Sequence, residues 1–481
     1  MPVPVFLSLL FYISTLCATS TSYGRSFMSL RWLALVVLFV VSGAHWSSSR
    51  KPHGRGVNSA GRAVVALYLA TTFLSVVTAN NLTFSGLRWA THAMMVVIFL
   101  LFLGESLTVR GARLMLGVVG VSSAVLVFGS ILFPATRFGS AHYLHGLTRE
   151  SNTLGHIALI CALISLGGII SARVKWSRIL QGVVFCASAW MVFSTRSRSS
   201  AGAFLLGTGL LLWCYGIVRW ETAWVAVLIV GLLILGAPAS QTWVKAFILK
   251  KESLETETKD SISMTRVFAT RTPGWTKSWN GFKERPILGW GFGADPEMQE
   301  DWDIGTTGLG IAKRDALGDE FRLLEGCGVV GFGGYLLLMV FAVRQMPSRR
   351  QPWLARQAWN SRTAEGPPGL HLAQHLHFVA YAITVALTVL FQFESSMLSA
   401  GYLLAAFFWM ALGVAYGFRM QSQGGMAEVG PEVMSRPLNM RRGYLGSRRT
   451  GPEVGVGMGG DSGSKREPMT ATSFRGRVAR R

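Results

Sequence analysis

Long apolar runs alternate along the chain with short polar connections. Most of the runs have about the length that crosses the hydrocarbon core of a bilayer, roughly 17–25 residues. One long polar segment, 239–320, interrupts the series. The pattern predicts an all-α membrane protein with about twelve transmembrane helices and one large loop between helices 9 and 10. The apolar segments lie near 4–20, 32–46, 63–79, 88–104, 112–134, 154–171, 178–194, 200–218, 222–238, 321–343, 373–391 and 397–417.

These segments divide the chain into four parts. Residues 1–238 hold predicted helices 1–9, residues 239–320 the large loop, and residues 321–417 helices 10–12. The first segment lacks the positively charged start of a signal peptide, so we expect a membrane helix there. The tail, 418–481, is rich in Gly, Arg, Ser and Pro without apolar periodicity. It is expected to be disordered, and its basic residues suit either contact with anionic lipid or a solvated topological anchor.

The composition favours a membrane protein over a soluble one. Half of the residues are hydrophobic and 15% are charged, whereas soluble domains carry about 25% charged residues. The net charge of +22 does not indicate nucleic-acid binding, because the basic residues are spread over short connections and the tail. The five cysteines lie in or beside apolar runs without metal-ligand spacing. We therefore expect no zinc site, no disulfide framework, and no metal or other cofactor.

The loop charges predict the orientation in the membrane. Basic residues are concentrated in alternate connections, such as 50–62, 173–175 and 344–362, whereas 80–87 has no charge. Because Lys/Arg-rich loops stay in the cytoplasm, both termini are expected there. The large loop then lies outside. It holds 13 of the 24 acidic residues and 11 basic ones, a balance typical of a folded exoplasmic lid.

Two arginines break the charge rule at a predicted outer helix end. Segment 195–202 reads TRSRSSAG and places Arg196 and Arg198 between two apolar runs. Ionisable groups at membrane depth usually face a cavity or a partner, and the guanidinium fork suits phosphate. The functional interpretation is a lipid-linked phosphate or pyrophosphate site. The alternative is that both side chains reach out to lipid headgroups.

The large loop carries a second group of candidates. Arg266 and Arg271 could extend the same anionic site. Trp275, Trp279 and Phe282 have the spacing i, i+4, i+7, which predicts a helix with the three aromatic rings on one face. That face could pack on the protein core, lie at the membrane interface or contact a sugar.

Histidines and carboxylates offer candidate proton acceptors. His142 and His145 lie in the predicted outer loop 135–152, but no partner is fixed by spacing. Asp315 and Asp319 precede predicted helix ten. A carboxylate there could accept a proton from an acceptor hydroxyl, or it could cap the helix.

The order and spacing of several short motifs resemble the O-antigen ligase/polymerase superfamily of bacterial inner-membrane proteins. Ser197–Arg198–Ser199 is similar to the Ser-Arg pair of that family, and Asn152–Thr153–Leu154–Gly155 to its Asn before helix six. Glu325 with the glycines after it is similar to the acidic start of helix ten. The long-loop pattern is carried by Arg271, Trp275, Phe282, Pro286, Gly289, Gly291 and Gly293.

The resemblance implies a glycosyltransferase with an outward-facing site in the membrane. The donor would be a polyprenyl-diphosphate-linked saccharide, and the acceptor a lipid or glycan, with membrane lipids around them. Many ligases of this family carry a His before helix ten, but residues 239–320 contain none, and Asp315 or Asp319 takes roughly that place. The implied catalytic residues are Arg198, Arg271 and Asp319. The implied substrate-binding residues are Arg196, Arg266, Trp275, Asn152 and His145.

Two other functions remain open from the residues alone. A polytopic transporter of glycans or small anions would also need many helices and outer arginines. It should show charged residues in mid-helix or paired broken helices, and the predicted spans hold few such charges. A membrane scaffold without catalysis is the other.

Overall fold

The computed structural model describes most of the predicted apolar segments. The predicted segment 222–238, much of the loop 239–320 and nearly all of the tail lie outside the described residues. The described helices belong to one compact unit that ends at Ala427. The described ranges are 3–20, 28–48, 59–132, 146–148, 151–172, 174–218, 272–293, 319–345, 368–392 and 403–428.

Helices account for almost all of these residues, and no strand occurs among them. Eleven of the twelve predicted apolar segments coincide with a helix, and 222–238 is the one outside the described ranges. A π-helical turn, Val97–Leu103, connects α4 to α5. In chain order the helices are α1 Val3–Ser20, α2 Met28–Ser48, α3 Ser59–Val77, α4 Leu82–Val96, α5 Gly104–Ser106, α6 Val109–Leu132, α7 Ser151–Ser171, α8 Lys175–Ser194, α9 Arg198–Cys214, α10 Thr272–Glu284, α11 Asp319–Arg344, α12 Pro368–Phe391 and α13 Leu403–Glu428.

Within the described ranges, eight spans are long and apolar enough to cross a membrane. They comprise α2, α3, α4 with α5, α6, α7, α8, α11 and α12. The apolar parts of α1 and α13 are shorter, and α13 continues past the predicted end of its segment to Glu428. The chain is therefore a multi-pass membrane protein, and its described part is almost entirely helical.

Contacts of α12 define one end of the helix bundle. His375 hydrogen-bonds through Nδ1 to the hydroxyl of Tyr215 and through Nε2, at 3.3 Å, to Ser171. His377 Nε2 lies 3.0 Å from the carbonyl oxygen of Gln345. The carboxyl ends of α7, α9 and α11 thus meet the start of α12. We call this the His375 end.

The opposite end is formed by the carboxyl end of α3 and the amino-terminal part of α11. These helices pack antiparallel, because Gly334 of α11 lies beside Thr71 of α3 and Cys327 lies beside Ser75. Ser75 Oγ of α3 lies 3.3 Å from Cys327 Sγ of α11. Arg285, just after α10, donates to the carbonyl oxygen of Thr78 at 3.2 Å. Residues 286–293, the Gly turn, lie at this end, which we call the Gly-turn end. The amino end of α7 lies there too, because α7 runs its whole length from the His375 end.

Candidate functional site

The helix predicted from the spacing of Trp275, Trp279 and Phe282 is confirmed, since all three residues lie in α10. The ring of Trp275 stacks on Phe321 of α11, with 5.5 Å between centroids. Trp279 packs on Phe282 at 5.1 Å and remains 43% exposed. The aromatic face is therefore divided. Trp275 anchors α10 to the core, while Trp279 is left open to solvent, lipid or a ligand.

The buried face of α10 is made of small residues, Ser278 and Gly281. A Cβ on Gly281 would come 2.7 Å from Oε1 of Glu325, which is 2% exposed. The indole of Trp290 donates to the carbonyl oxygen of Gly281 at 2.9 Å. The glycine therefore leaves the space in which a carboxylate of α11 lies against α10.

The predicted Pro/Gly connection after α10 is also confirmed. The helix ends at Glu284, immediately before Arg285 and Pro286. Gly289, Gly291 and Gly293 have φ values of 71°, 122° and 66°, which residues with a side chain rarely adopt. The glycines let the backbone fold tightly against its neighbours.

The Gly turn fills a break in α11. Gly328 has φ 59° and ψ −166° inside this helix, a conformation essentially restricted to glycine. The break removes helical partners from backbone groups at membrane depth, where each unpaired group is costly. The Gly turn supplies these partners through Trp290 N to Glu325 O at 3.0 Å, Gly291 N to Gly326 O at 2.8 Å, Val329 N to Pro286 O at 2.9 Å and Val330 N to Ile287 O at 3.3 Å.

Arginines surround the Gly turn. Arg88 of α4 and Arg322 of α11 both donate to the carbonyl oxygen of Gly293, the latter at 3.2 Å. Arg285 holds the turn to the end of α3. The sequence analysis missed Arg88, which opens the apolar run 88–104 and was counted with that helix. The one local signal was a basic residue directly after an uncharged outer connection.

A second group of predicted residues lies in the turn between α8 and α9. Arg196 has φ 53°, the one positive φ at a non-glycine among the described residues. Such backbone strain persists only where the surroundings enforce it, and it is often found at functional sites. The side chain of Ser197 caps α9 by accepting from Ser200 N at 3.4 Å. Arg198 is the first residue of α9, two residues before the predicted start of that apolar segment.

Helix α7 packs directly against this turn. A Cβ on Gly155 would lie 2.8 Å from Thr195 Oγ1 and 2.9 Å from Ser200 Oγ. Asn152, three residues earlier, lies on the same side of α7 and in its first turn, slightly inside the helix that it was predicted to precede. The structure therefore brings Asn152, Arg196 and Arg198 to one region at the Gly-turn end.

The remaining predicted site residues are placed less completely. Asp319 begins α11, the helix on which Trp275 packs, but its side chain lies outside the described part of the chain. Arg266, Arg271 and His145 lie outside the described residues altogether. Among the residues that are described, no three His, Cys, Asp or Glu side chains are grouped as metal ligands.

Comparison with protein families connects the two groups of residues. The family model described as O-antigen ligase matches residues 183–310. Residues 183–310 are therefore similar to O-antigen ligases. Comparison with curated proteins gives no match.

The O-antigen ligase match confirms the resemblance drawn from the motifs. It covers the α8–α9 turn, α10 and the Gly turn. Asn152 and Glu325 lie outside it, but each belongs to a helix that packs on it, through Gly155 and Gly281 respectively. The matched segment and the parts of α7 and α11 that pack on it thus form the candidate functional site.

Proposed function

We propose that the chain is a membrane glycosyltransferase of the O-antigen ligase/polymerase type, acting in the biosynthesis of cell-envelope polysaccharide. It would move a saccharide from a polyprenyl-diphosphate carrier to a lipid or glycan acceptor. The observation that carries this proposal is the family match over 183–310. The match includes both Arg198 and the Gly turn, the two parts of the chain from which the site was predicted.

The proposed setting is a bacterial inner membrane, with about twelve helices, both termini in the cytoplasm and one large exoplasmic loop. Helix α9 ends at the His375 end, whereas α10 and α11 begin at the Gly-turn end. The chain between α9 and α10 must therefore pass from one end to the other. The apolar segment 222–238 has the composition for that crossing, which supports placing the large loop at the Gly-turn end.

The proposed reaction is a substitution at the sugar carbon attached to the diphosphate. The acceptor hydroxyl oxygen forms the new glycosidic bond as the carbon–oxygen bond to diphosphate breaks. Polyprenyl diphosphate leaves with the bonding electron pair. The hydroxyl proton passes to a protein base, for which Asp319 is proposed.

Charge stabilisation is the task proposed for the arginines. A diphosphate gains negative charge as it leaves, and preorganised guanidinium groups stabilise that charge at an outer membrane site. Arg198 and Arg271 are proposed for this role. The donor and acceptor would be held by Arg196, Arg266, Trp275, Asn152 and His145.

Substitution of the two arginines tests the proposal. Arg198→Ala and Arg271→Ala should insert normally and lower glycan transfer by about a hundredfold or more, the typical loss of one transition-state donor. Arg178→Ala, an exposed position at the His375 end, serves as control. The readout is surface glycan on gels together with the membrane level of each variant. Normal glycan in both test variants would refute the assignment.

Glycan sizing after gene deletion distinguishes ligation from polymerisation. Loss of the ladder of chain lengths indicates that the protein polymerises. Accumulation of full-length lipid-linked chains indicates that it ligates them to an acceptor.

Transport is the second candidate, because the break in α11 at Gly328 is a feature of transporter helices. The Gly turn hydrogen-bonds to the backbone groups at the break in α11. These bonds hold the two segments together, which favours a fixed binding site over a moving gate. Reconstituted vesicles separate the two functions. Movement of saccharide without a new glycosidic bond would support transport and exclude the transferase.

A further inference from the structure

Contacts with α11 fix the membrane depth of α10 and of the Gly turn. Trp275 stacks on Phe321, the first residue of the apolar span of α11. Further along the chain, the carbonyl oxygen of Ile287 accepts from Val330 N at 3.3 Å, well inside that span. Gly281 lies between these two points, against the buried carboxylate of α11. From α10 into the Gly turn, the chain therefore descends along α11.

The chain then returns along the same helix. Gly291 N donates to the carbonyl oxygen of Gly326 at 2.8 Å. The carbonyl oxygen of Gly293 accepts from Arg322 at 3.2 Å. Both partners on α11 lie closer to the start of its span than Val330 does. The segment thus enters and leaves at the same end of the bundle.

Two neighbouring helices limit how far the segment descends. At 1.5 Å per residue, Val330 lies about 13 Å below Phe321, where the span of α11 begins. On α3 the span ends at Val77, and Ser75 lies beside Cys327, which places Val330 about 7 Å below the end of α3. The hydrocarbon of one leaflet is about 15 Å thick. The residue that pairs with Val330 therefore lies within one leaflet.

Apolar side chains are exposed at this depth. Ile287 is 64% exposed, and Val329, beside it on α11, is 51% exposed. The exposed ring of Trp279 lies nearer to the membrane surface. An exposed isoleucine within the depth of a leaflet contacts hydrocarbon, and tryptophan suits the membrane–water interface. The end of α3 carries further exposed apolar side chains at the same depth, Phe73, Leu74 and Val77.

The adjoining face of α10 is polar. Asn280, Lys283 and Glu284 are exposed. Lys283 Nζ donates to Asn280 Oδ1 at 3.2 Å, one turn back toward the membrane surface. Charged groups at membrane depth are costly unless they face a cavity or a partner. This face therefore indicates a water-filled recess rather than lipid.

We propose that residues 272–293 form a re-entrant hairpin in the leaflet at the Gly-turn end. Its apolar edge, Trp279 with Ile287, contacts the hydrocarbon chains of that leaflet, and its polar face borders a water-filled recess. The backbone at the tip is tolerated at this depth because α11 supplies its hydrogen bonds. The hairpin separates lipid from water below the membrane surface, as a lipid with a large polar head requires. This arrangement follows from depth and exposure, so it does not depend on glycan transfer.

Spin labels on the full chain in nanodiscs test the hairpin. In a background without native cysteines, Ile287→Cys and Lys283→Cys are labelled with a nitroxide. Collision rates are measured with oxygen, which concentrates in hydrocarbon, and with the nickel complex Ni-EDDA, which stays in water. The Ile287 label should give an oxygen-to-nickel collision ratio several-fold above that of the Lys283 label.

Two control positions calibrate these ratios. Val125→Cys is exposed within the span of α6, seven residues from its end at Leu132, and should match the Ile287 label. Arg178→Cys is exposed at the His375 end and should match the Lys283 label. Val329→Cys supplies the comparison if Ile287→Cys does not fold.

The hairpin is overturned if the Ile287 label collides mainly with nickel, because the tip would then lie in water. Low rates with both reagents would also overturn it, because protein would then cover the tip. The recess is overturned if the Lys283 label collides mainly with oxygen or with neither reagent. The expected pattern in a protein without transferase activity would remove the proposed function alone, and activity without this pattern would remove the hairpin alone.

Discussion

Gly289 is the residue at which the Gly turn comes closest to the backbone of α11. A Cβ at this position would overlap the carbonyl group of Gly326. The φ of 71° separately disfavours any side chain. Space and backbone conformation therefore both require glycine, which explains its place in the motif without assigning it a chemical role.

Gly289→Ala should destabilise the folded chain. The left-handed backbone alone costs roughly 1–2 kcal/mol with a Cβ present, and displacement of Gly326 adds to it. Trp fluorescence during thermal unfolding in detergent would show a lower midpoint.

Gly333→Ala is the matched control on α11, because nothing lies within 4 Å of its added Cβ. That variant should be neutral or slightly stabilised. Equal midpoints for Gly289→Ala and wild type would contradict the close contact.

At the scale of elements, the Gly turn and α11 form one unit. Residues 286–291 of the Gly turn and residues 325–330 of α11 exchange backbone hydrogen bonds, which replace those that α11 loses at its break. Mutations in the turn should therefore act through α11.

The sequence predicted α10 and its Pro/Gly ending because aromatic spacing and turn residues are local signals. It could not predict the break in α11. Gly328 stands among several other glycines of an apolar run, and only contact with the Gly turn distinguishes it. The role of Arg88 was hidden for a similar reason, because its partner Gly293 is 205 residues away.

The antiparallel packing of α3 and α11 is testable with a native thiol. Ser75 Oγ and Cys327 Sγ are 3.3 Å apart, so Ser75→Cys should form a disulfide with Cys327 under mild oxidation. Mass spectrometry of proteolytic fragments detects the cross-link. The same variant with Cys327→Ala should give none. Absence of the link in the Cys327 background would contradict the contact.

At the scale of the whole molecule, the contacts separate two ends. The His375 end gathers the carboxyl ends of α7, α9 and α11, and the Gly-turn end gathers the α8–α9 turn, α10 and the Gly turn. The predicted site residues that the structure describes all belong to the second end. The charge pattern along the sequence led to the same division, because each crossing moves the chain from one end to the other.

The proposed orientation places the Gly-turn end on the outside of the cell. In a background without native cysteines, Lys283→Cys on α10 should react with a membrane-impermeant maleimide added to intact cells. Arg178→Cys should react only after permeabilisation. Both side chains are exposed. The opposite result would reverse the proposed topology, and labelling of both from one side would contradict the two-ended bundle.

The pairing of the Gly turn with α11 also constrains the order of biogenesis. Residues 286–291 are translated before residues 325–330, and in the proposed topology they must be exported before their partners exist. Until α11 is inserted, the exported Gly turn lacks its hydrogen bonds to α11. Until the Gly turn is outside, α11 carries unpaired backbone groups into lipid. Export of the loop must therefore precede stable insertion of α11, so a block in translocation would leave this helix exposed to quality-control proteases.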